Sequence, residues 1–287
     1  MTAVPARRAT IDRLREHLVL GWPTLVILGL SVVPLFLLLQ VSVAHRDQGG
    51  LWSPGFEFTN FAQTLEPGPL ATLLYSAELA VLVAILSTII AFPFTYFITR
   101  MARRAQVAWL ILLLSTLSLS DVLVSFSWQV MLSKRIGLSQ LFVWLGLMDQ
   151  PESLSPNFGA VLSCLVYLVL PFTVLLLYPA LSRLDRHVSE AARTLGASPL
   201  RVFFTVIVPM MRGPILSSAI LVAVITIGAF VAPQVLGRPE HWTFAILIGK
   251  AAQTGGNLPL SAAMALLLLA ATLGLTGLTA LIGRKQP

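Results

Sequence analysis

Charge is what this 287-residue sequence has least of: 11% of its residues are Asp, Glu, Lys or Arg, whereas 56% are hydrophobic. A water-soluble domain carries about a quarter of its residues charged, so that class is excluded and the chain belongs in a membrane. Cysteine is nearly absent. The one thiol, Cys164, lies inside an apolar run, which excludes a disulfide framework and a thiolate metal site. Missing too is a Gly-x4-Gly-Lys-Ser/Thr phosphate loop: Gly249–Lys250 is followed by Ala251 and lacks the earlier glycine. The chain therefore has no route of its own to ATP hydrolysis by that motif, and any ATPase must be another subunit. There is no internal repeat either, and inverted repeats are the mark of many self-sufficient secondary transporters.

What is present is a series of apolar runs. Six are long enough for a hydrocarbon core of about 30 Å, which takes roughly 20 helical residues. They lie near 21–44, 71–99, 106–132, 158–180, 214–236 and 258–282. Pro34, Pro93 and Pro171 interrupt them, which membrane helices tolerate where neighbours re-satisfy the freed carbonyls. Ser42–Val43–Ala44 has the form of a signal cleavage site, but the preceding run exceeds the 7–15 residues of a signal core, so it reads as an uncleaved span.

The basic residues orient the spans. Arg7, Arg8, Arg13 and Arg15 precede the first span; Arg100, Arg103 and Arg104 follow the second. Arg183, Arg186, Arg193, Arg201 and Arg212 follow the fourth, and Arg284 and Lys285 follow the sixth. These are fourteen of the nineteen Lys and Arg, all on one side of a six-span arrangement. Arg46, Lys134, Arg135, Arg238 and Lys250 fall on the other. Positive charge collects on the cytoplasmic side, so both termini and the 181–213 connection are expected there. The formal charge of +7 is then a topology signal, and no nucleic-acid partner follows from it. His17, His45, His187 and His241 divide between the two sides and cannot share a metal.

The outer connections, about 45–70, 133–157 and 237–257, are too short for a separate domain. The first, with Gly49, Gly50, Pro54, Pro67 and Pro69, reads as irregular loop, and the third bears Gly and Pro. The second contains LSQLFVWLGL, a short interfacial helix with Trp144 near the headgroups.

Inside the membrane a carboxylate costs about 2.5–3.5 kcal/mol and needs a reason. Ser118, Asp121, Ser125 and Trp128 follow steps of three, four and three, which places them on one face of the third span. Two readings stay open: a stripe lining a water-filled pathway, or serines bonded back to their own helix with Asp121 paired to a neighbour. Glu78, two turns into a long second span, suits an interfacial position; Gln234 and Tyr167 are weaker candidates.

The 181–213 connection has a regular design. Leu184, Val188, Ala191, Ala192 and Leu195 recur at three- and four-residue steps, predicting an amphipathic helix over about 183–195. Gly196 suits the left-handed residue that ends it. Ser198 then supplies a cap and Pro199 the first position of a second helix. A helix–bend–helix elbow of this shape fits a groove on another protein.

The elbow resembles the EAA signature of ABC importer permeases: Glu190–Ala191–Ala192, three residues, Gly196, nine residues, then Val206, Val208 and Pro209 where the signature has Ile, Leu and Pro. Ala91–Phe92–Pro93–Phe94–Thr95–Tyr96, Leu170–Pro171–Phe172 and Gly228–Ala229–Phe230–Val231–Ala232–Pro233 with Leu236–Gly237 extend the similarity to the spermidine/putrescine-type branch over about residues 70–270. The resemblance implies an all-α membrane protein of the type I permease fold: an N-terminal segment 1–20, six transmembrane helices over 21–282 and a tail 283–287. It implies a multi-pass subunit of the bacterial inner membrane, not itself an enzyme, without a cofactor of its own. The partners it implies are an ATPase dimer carrying ATP and Mg, a second permease, an extracytoplasmic solute-binding protein and membrane lipid. Glu190, Ala191, Ala192, Gly196 and Pro209 would couple to the ATPase. The implied solute is a polyamine or similar small cation; opine, iron and thiamine importers share the branch, and a secondary transporter is the other class. One departure bears on the solute. Many relatives have Ser-x-x-Val-Arg-Thr-Tyr-Gly-Trp where this chain has Ser120–Asp121–Val122–Leu123–Val124–Ser125–Phe126–Ser127–Trp128, so an arginine is replaced by Val124 and an acid stands nearby.

Overall fold

The computed structural model of the chain describes residues 6–47, 52–135 and 137–283. Gly49, Gly50 and the tail residues Arg284 and Lys285 lie outside that range. The chain divides into two compact units, Met1–Thr64 with Ala251–Leu266, and Leu65–Lys250 with Leu267–Pro287.

In the first unit α1 runs Ala6–Ser42, beginning well before the expected first span, and its side chains from Pro23 to Leu37 are exposed. An apolar helix with this much bare Leu, Val and Ile is built for lipid or for another protein. Its end is sealed by one side chain. Asn60, buried on the short α2 (Thr59–Thr64), donates from Nδ2 to the carbonyls of Ser42 at 3.1 Å and Ala44 at 3.2 Å. The first connection is less irregular than expected: β1 (His45–Arg46) and β2 (Trp52–Ser53) pair antiparallel, His45 opposite Ser53.

The second unit is built on α3 (Pro67–Arg100), α7 (Phe158–Ser182) and α11 (Arg212–Ile227). Small and β-branched side chains meet at their seam: Val83 and Ala84 of α3, Val161 and Cys164 of α7, and Val222 and Ala223 of α11 are all buried. Residues of this size let helix backbones approach closely where no hydrophobic drive favours association. A second cluster joins the far ends of α3 and α7, through Phe92, Ile98, Leu177 and Leu181, to Val202, Ile207 and Met211.

Among the described residues four helices are long and apolar enough to cross a membrane, or up to six if two bent pairs each count as one span. The second, fourth and sixth expected spans correspond to α3, α7 and α14 (Leu258–Gly283). The third is corrected. It is broken into α4 (Arg103–Leu117) and α5 (Asp121–Met131), bent by 92°. No proline or glycine does this. Ser115, Thr116 and Ser118 each bond back to the carbonyl four residues earlier, a habit that bends helices, and Ser120 takes an extended backbone. The region between α5 and α7 holds the expected short helix, α6 (Leu138–Trp144), with Trp144 exposed.

The elbow occupies α8 (Arg186–Thr194), α9 (Pro199–Val202), a π-helical turn Phe203–Ile207 and α10 (Val208–Met210). The fifth expected span is also modified. Its helix, α11, ends at Ile227, and after Gly228–Ala229–Phe230 the chain resumes as α12 (Val231–Leu236). The third outer connection, Gly- and Pro-bearing, contains a helix, α13 (Phe244–Gln253). Two buried bonds hold α13 in place: Thr243 Oγ1 donates to the Ala229 carbonyl at 2.6 Å, and Phe244 N–H donates to Ser76 Oγ at 2.8 Å.

Ser76→Ala removes the acceptor of the Phe244 amide, and a buried unpaired N–H costs about 1–3 kcal/mol. The expected outcome is a lower thermal midpoint for the detergent-purified chain, with faster amide exchange at residues 243–247. Unchanged exchange there would show that Ser76 does not anchor α13.

Candidate functional site

The elbow is put together as its residues dictate. Asp185 caps α8 by accepting from His187 N–H at 3.0 Å. At the other end Gly196 N–H donates to Arg193 O at 2.9 Å and Ala197 N–H to Ala192 O at 3.2 Å. This double closure requires a left-handed residue, and Gly196 has φ +86°. Ser198 Oγ then accepts from Arg201 N–H at 3.4 Å, and Pro199 opens α9. The expected helix, its glycine stop, the serine cap and the proline start are all in place.

Pro209 acts through its ring. It has no N–H to offer the helix, and its ring presses on the carbonyl four residues back. The backbone widens at Phe203–Ile207 into a π turn, with Val208 N–H bonded to Phe203 O. The Arg201 carbonyl accepts Thr205 Oγ1 at 2.6 Å. The helix then turns by 71° into α11.

The expected apolar face of α8 is split. Ser189 is buried and Leu184, Val188 and Ala192 are half-buried, so these turn toward the body. Ala191 and Leu195 face out. Leu195 is 89% exposed, and with Leu200 and Phe204 it makes a bare apolar row across both arms of the elbow. Glu190, whose Oε2 lies 3.3 Å from His187 Nδ1, is exposed on the same segment.

The four residues proposed for a pathway do not share one helix. Ser118 is the C-cap of α4, on the far side of the break, and donates to Leu114 O at 3.1 Å. Asp121, Ser125 and Trp128 remain together on one face of α5. Ser125 is buried and donates to Asp121 O at 2.7 Å, so both serines are satisfied within their own helices. Asp121 stands in the first turn of α5, exposed, and among the described residues no ion pair or hydrogen bond reaches its carboxylate. Two turns on, Trp128 meets Tyr167 of α7 with ring centroids 5.9 Å apart. The two rings line a cavity of about 360 Å³ with Leu123, Ser127 and Met131. Glu78 and Gln234 are exposed.

The position of Asp121 has a cost attached. The helix dipole favours a carboxylate in the first turn by about 0.3–1 kcal/mol. That alone is well short of the roughly 2.5–3.5 kcal/mol that an acid at mid-membrane costs. The signal for the α4–α5 break was in the sequence: Ser115–Thr116–Leu117–Ser118–Leu119–Ser120–Asp121 holds four hydroxyls and an acid in seven residues, the composition of a helix cap.

Residues 107–286 match the family described as "Binding-protein-dependent transport system inner membrane component". The chain is 27% identical over 232 residues to the spermidine/putrescine transport system permease protein PotB of Escherichia coli K12, covering 81% of this chain and 82% of that protein. It is 26% identical over 251 residues to the protein of the same name from Haemophilus influenzae, covering 88% and 85%. Among solved structures it superimposes on a chain of a bacterial ABC transporter involved in the import of the acidic polysaccharide alginate, with a TM-score of 0.74 and 16% identity, covering 97% and 99%. That likeness is one of fold.

Gly196 has open space where a side chain would point, so a substitution there is opposed by backbone conformation alone. Gly196→Val is expected to loosen the elbow by about 1–2 kcal/mol, and Gly196→Asn by much less, because Asn tolerates left-handed backbone. Limited proteolysis at residues 193–200 reads the difference. Equal cleavage of the two variants would mean that the turn is not held left-handed in solution.

Proposed function

The chain belongs to the inner membrane components of binding-protein-dependent transport systems and is a permease subunit of an ABC importer; from that premise we propose that it carries a polyamine or similar small cationic organic solute. One observation carries the solute assignment: an unpartnered Asp121 carboxylate on the same helical face as Trp128, two turns from the Trp128–Tyr167 cleft. The acid supplies charge pairing for an ammonium group and the indole face attracts a cation. The spermidine/putrescine permeases among its relatives support the same class of solute. The replacement of an arginine by Val124 removes the repulsion such a solute would meet.

Coupling falls to the elbow. Ala191 and Leu195, the outward apolar residues of the first arm, are what an ATPase subunit covers, with Glu190 on the same arm meeting donors of that subunit. ATP and Mg reside on the ATPase dimer, and a second permease completes the pathway. A solute-binding protein delivers the solute from the outer side. The second cluster joins Val202, Ile207 and Met211 to α3 and α7, so a displacement of the elbow is passed to the helix core as a rigid movement. Both termini and the elbow lie in the cytoplasm, an orientation that the placement of fourteen of nineteen basic residues supports.

The solute reading is tested in the reconstituted importer. Asp121→Asn is expected to lower uptake of a diamine about tenfold or more, the loss of a charge-assisted contact, while the subunits still assemble. Undiminished diamine uptake would remove Asp121 from the pathway. Gly196→Leu is expected to abolish solute-stimulated ATP hydrolysis with the protein still inserted.

Orientation is tested apart from transport. In a Cys164→Ala background, Asp149→Cys is expected to react with an impermeant maleimide from outside, and Ser182→Cys only after permeabilisation. Both sites are exposed, so a reversed pattern would overturn the orientation.

A further inference from the structure

Two cavities meet at Arg100, the last residue of α3. One, of about 370 Å³, is lined by Arg100, Arg103, Gln106, Tyr178 and Ser182. The other, of about 840 Å³, is a trough between α3 and the elbow, walled by Ile89, Phe92, Phe97, Leu200, Phe203 and Ile215. Arg100 belongs to both. Its guanidinium carbon lies 5.0 Å from the Tyr96 ring centroid, and Nη2 donates to Ser189 Oγ at 3.5 Å, which holds the charge at the junction.

The polar cavity has charge and no counter-charge. Gln106 is spent on its neighbours: Nε2 donates to Thr99 O at 3.3 Å and Met101 O at 2.9 Å, and Oε1 accepts from Tyr178 at 2.9 Å. Among the described residues no acid lines this cavity. Among the described residues no carboxylate lies within ion-pair reach of Arg100, Arg103 or Arg193; the ion pairs there involve His45, His187, Arg238 and His241. The trough has one acid, Glu190, already facing His187, and it sits beside Arg193. A cationic pocket thus shares Arg100 with an apolar trough that has bare side chains along it: Ile89 is 62% and Phe97 63% exposed.

We propose that this paired site binds an anionic phospholipid, its phosphate between Arg100 and Arg103 and an acyl chain in the trough. Arginines present forked donors that match phosphate oxygens, and basic pockets between membrane helices at the cytoplasmic surface are suited to anionic headgroups. A zwitterionic lipid brings its own cation to a pocket that has two. A free phosphate fits the polar cavity but leaves the trough bare. The leaflet named here, the cytoplasmic one, rests on the orientation proposed above. The lipid would sit where α3 meets the elbow, so it links membrane composition to the segment that the ATPase moves.

The test uses the assembled importer in vesicles of phosphatidylcholine with and without phosphatidylglycerol. A tryptophan at Phe97→Trp is expected to be quenched by phosphatidylglycerol with brominated acyl chains and at least fivefold less readily by brominated phosphatidylcholine. Adding Arg100→Gln and Arg103→Gln is expected to erase that preference, each change weakening retention about fivefold, whereas Arg238→Gln leaves it intact. Native mass spectrometry of the delipidated importer reads the same retention without the added tryptophan. Equal quenching by both lipids overturns the headgroup assignment, and so does displacement of the lipid by inorganic phosphate. Quenching by neither lipid means that a protein subunit covers the trough, which also overturns it. None of these readings needs ATP or solute, so loss of diamine uptake leaves the inference standing. Labelling of Ser182→Cys from outside would overturn the leaflet alone.

Discussion

A backbone amide in hydrocarbon has no water to turn to, and each one left unpaired costs several kcal/mol. This chain breaks its helices repeatedly inside or beside apolar segments, and at several of these breaks a short polar side chain takes up a group that the break sets free. Asn60 takes the carbonyls at the end of α1, and Thr243 takes Ala229 O where α11 gives way to α12. Ser76 takes the Phe244 amide, and Thr205 takes Arg201 O beside the π turn. Most of these hydroxyls and amides read as scattered polar residues in apolar sequence. Their common role is to let the backbone leave the helix without an unmet hydrogen bond.

The same constraint explains why the elbow is firm where it meets the body. Its glycine-ended helix closes its own carbonyls, and its second arm is a continuous helix whose one irregularity, the π turn, is imposed by Pro209. Val202, Ile207 and Met211 are buried with Phe92 of α3 and Leu177 of α7. A force on Leu200 or Phe204 therefore reaches α3 through packed side chains and not through a flexible loop. The apolar row on the outer side is the complement of this: it is exposed because nothing within this unit is shaped to cover it.

Length and hydropathy made α3, α7 and α14 legible to within a few residues, because a run of apolar residues that long has one stable form in a bilayer. The elbow was legible for a different reason: Gly196, Ser198 and Pro199 each have a specific backbone role that survives any tertiary context. The α4–α5 break was not. Ser118, Asp121, Ser125 and Trp128 fit a helical period so well that the stripe concealed a cap, and the periodic reading assumed an unbroken helix that Ser120 ends. The row on the elbow was half legible. Spacing found the apolar positions of α8 but could not tell which of them the body would take, since that depends on where α3 lies.

The break changes what Asp121 can do. In an unbroken span it would lie at mid-helix, with its carbonyl and amide both tied up and its carboxylate forced to find a neighbour. At the first turn of α5 it instead faces the positive end of a helix dipole, next to a 92° bend. The dipole offsets only a fraction of what an acid costs in hydrocarbon, and no described side chain offsets the rest. An acid kept in that condition is stable only where water or a passing cation reaches it. The bend thus does what a charged partner would otherwise have to do, while leaving the carboxylate free.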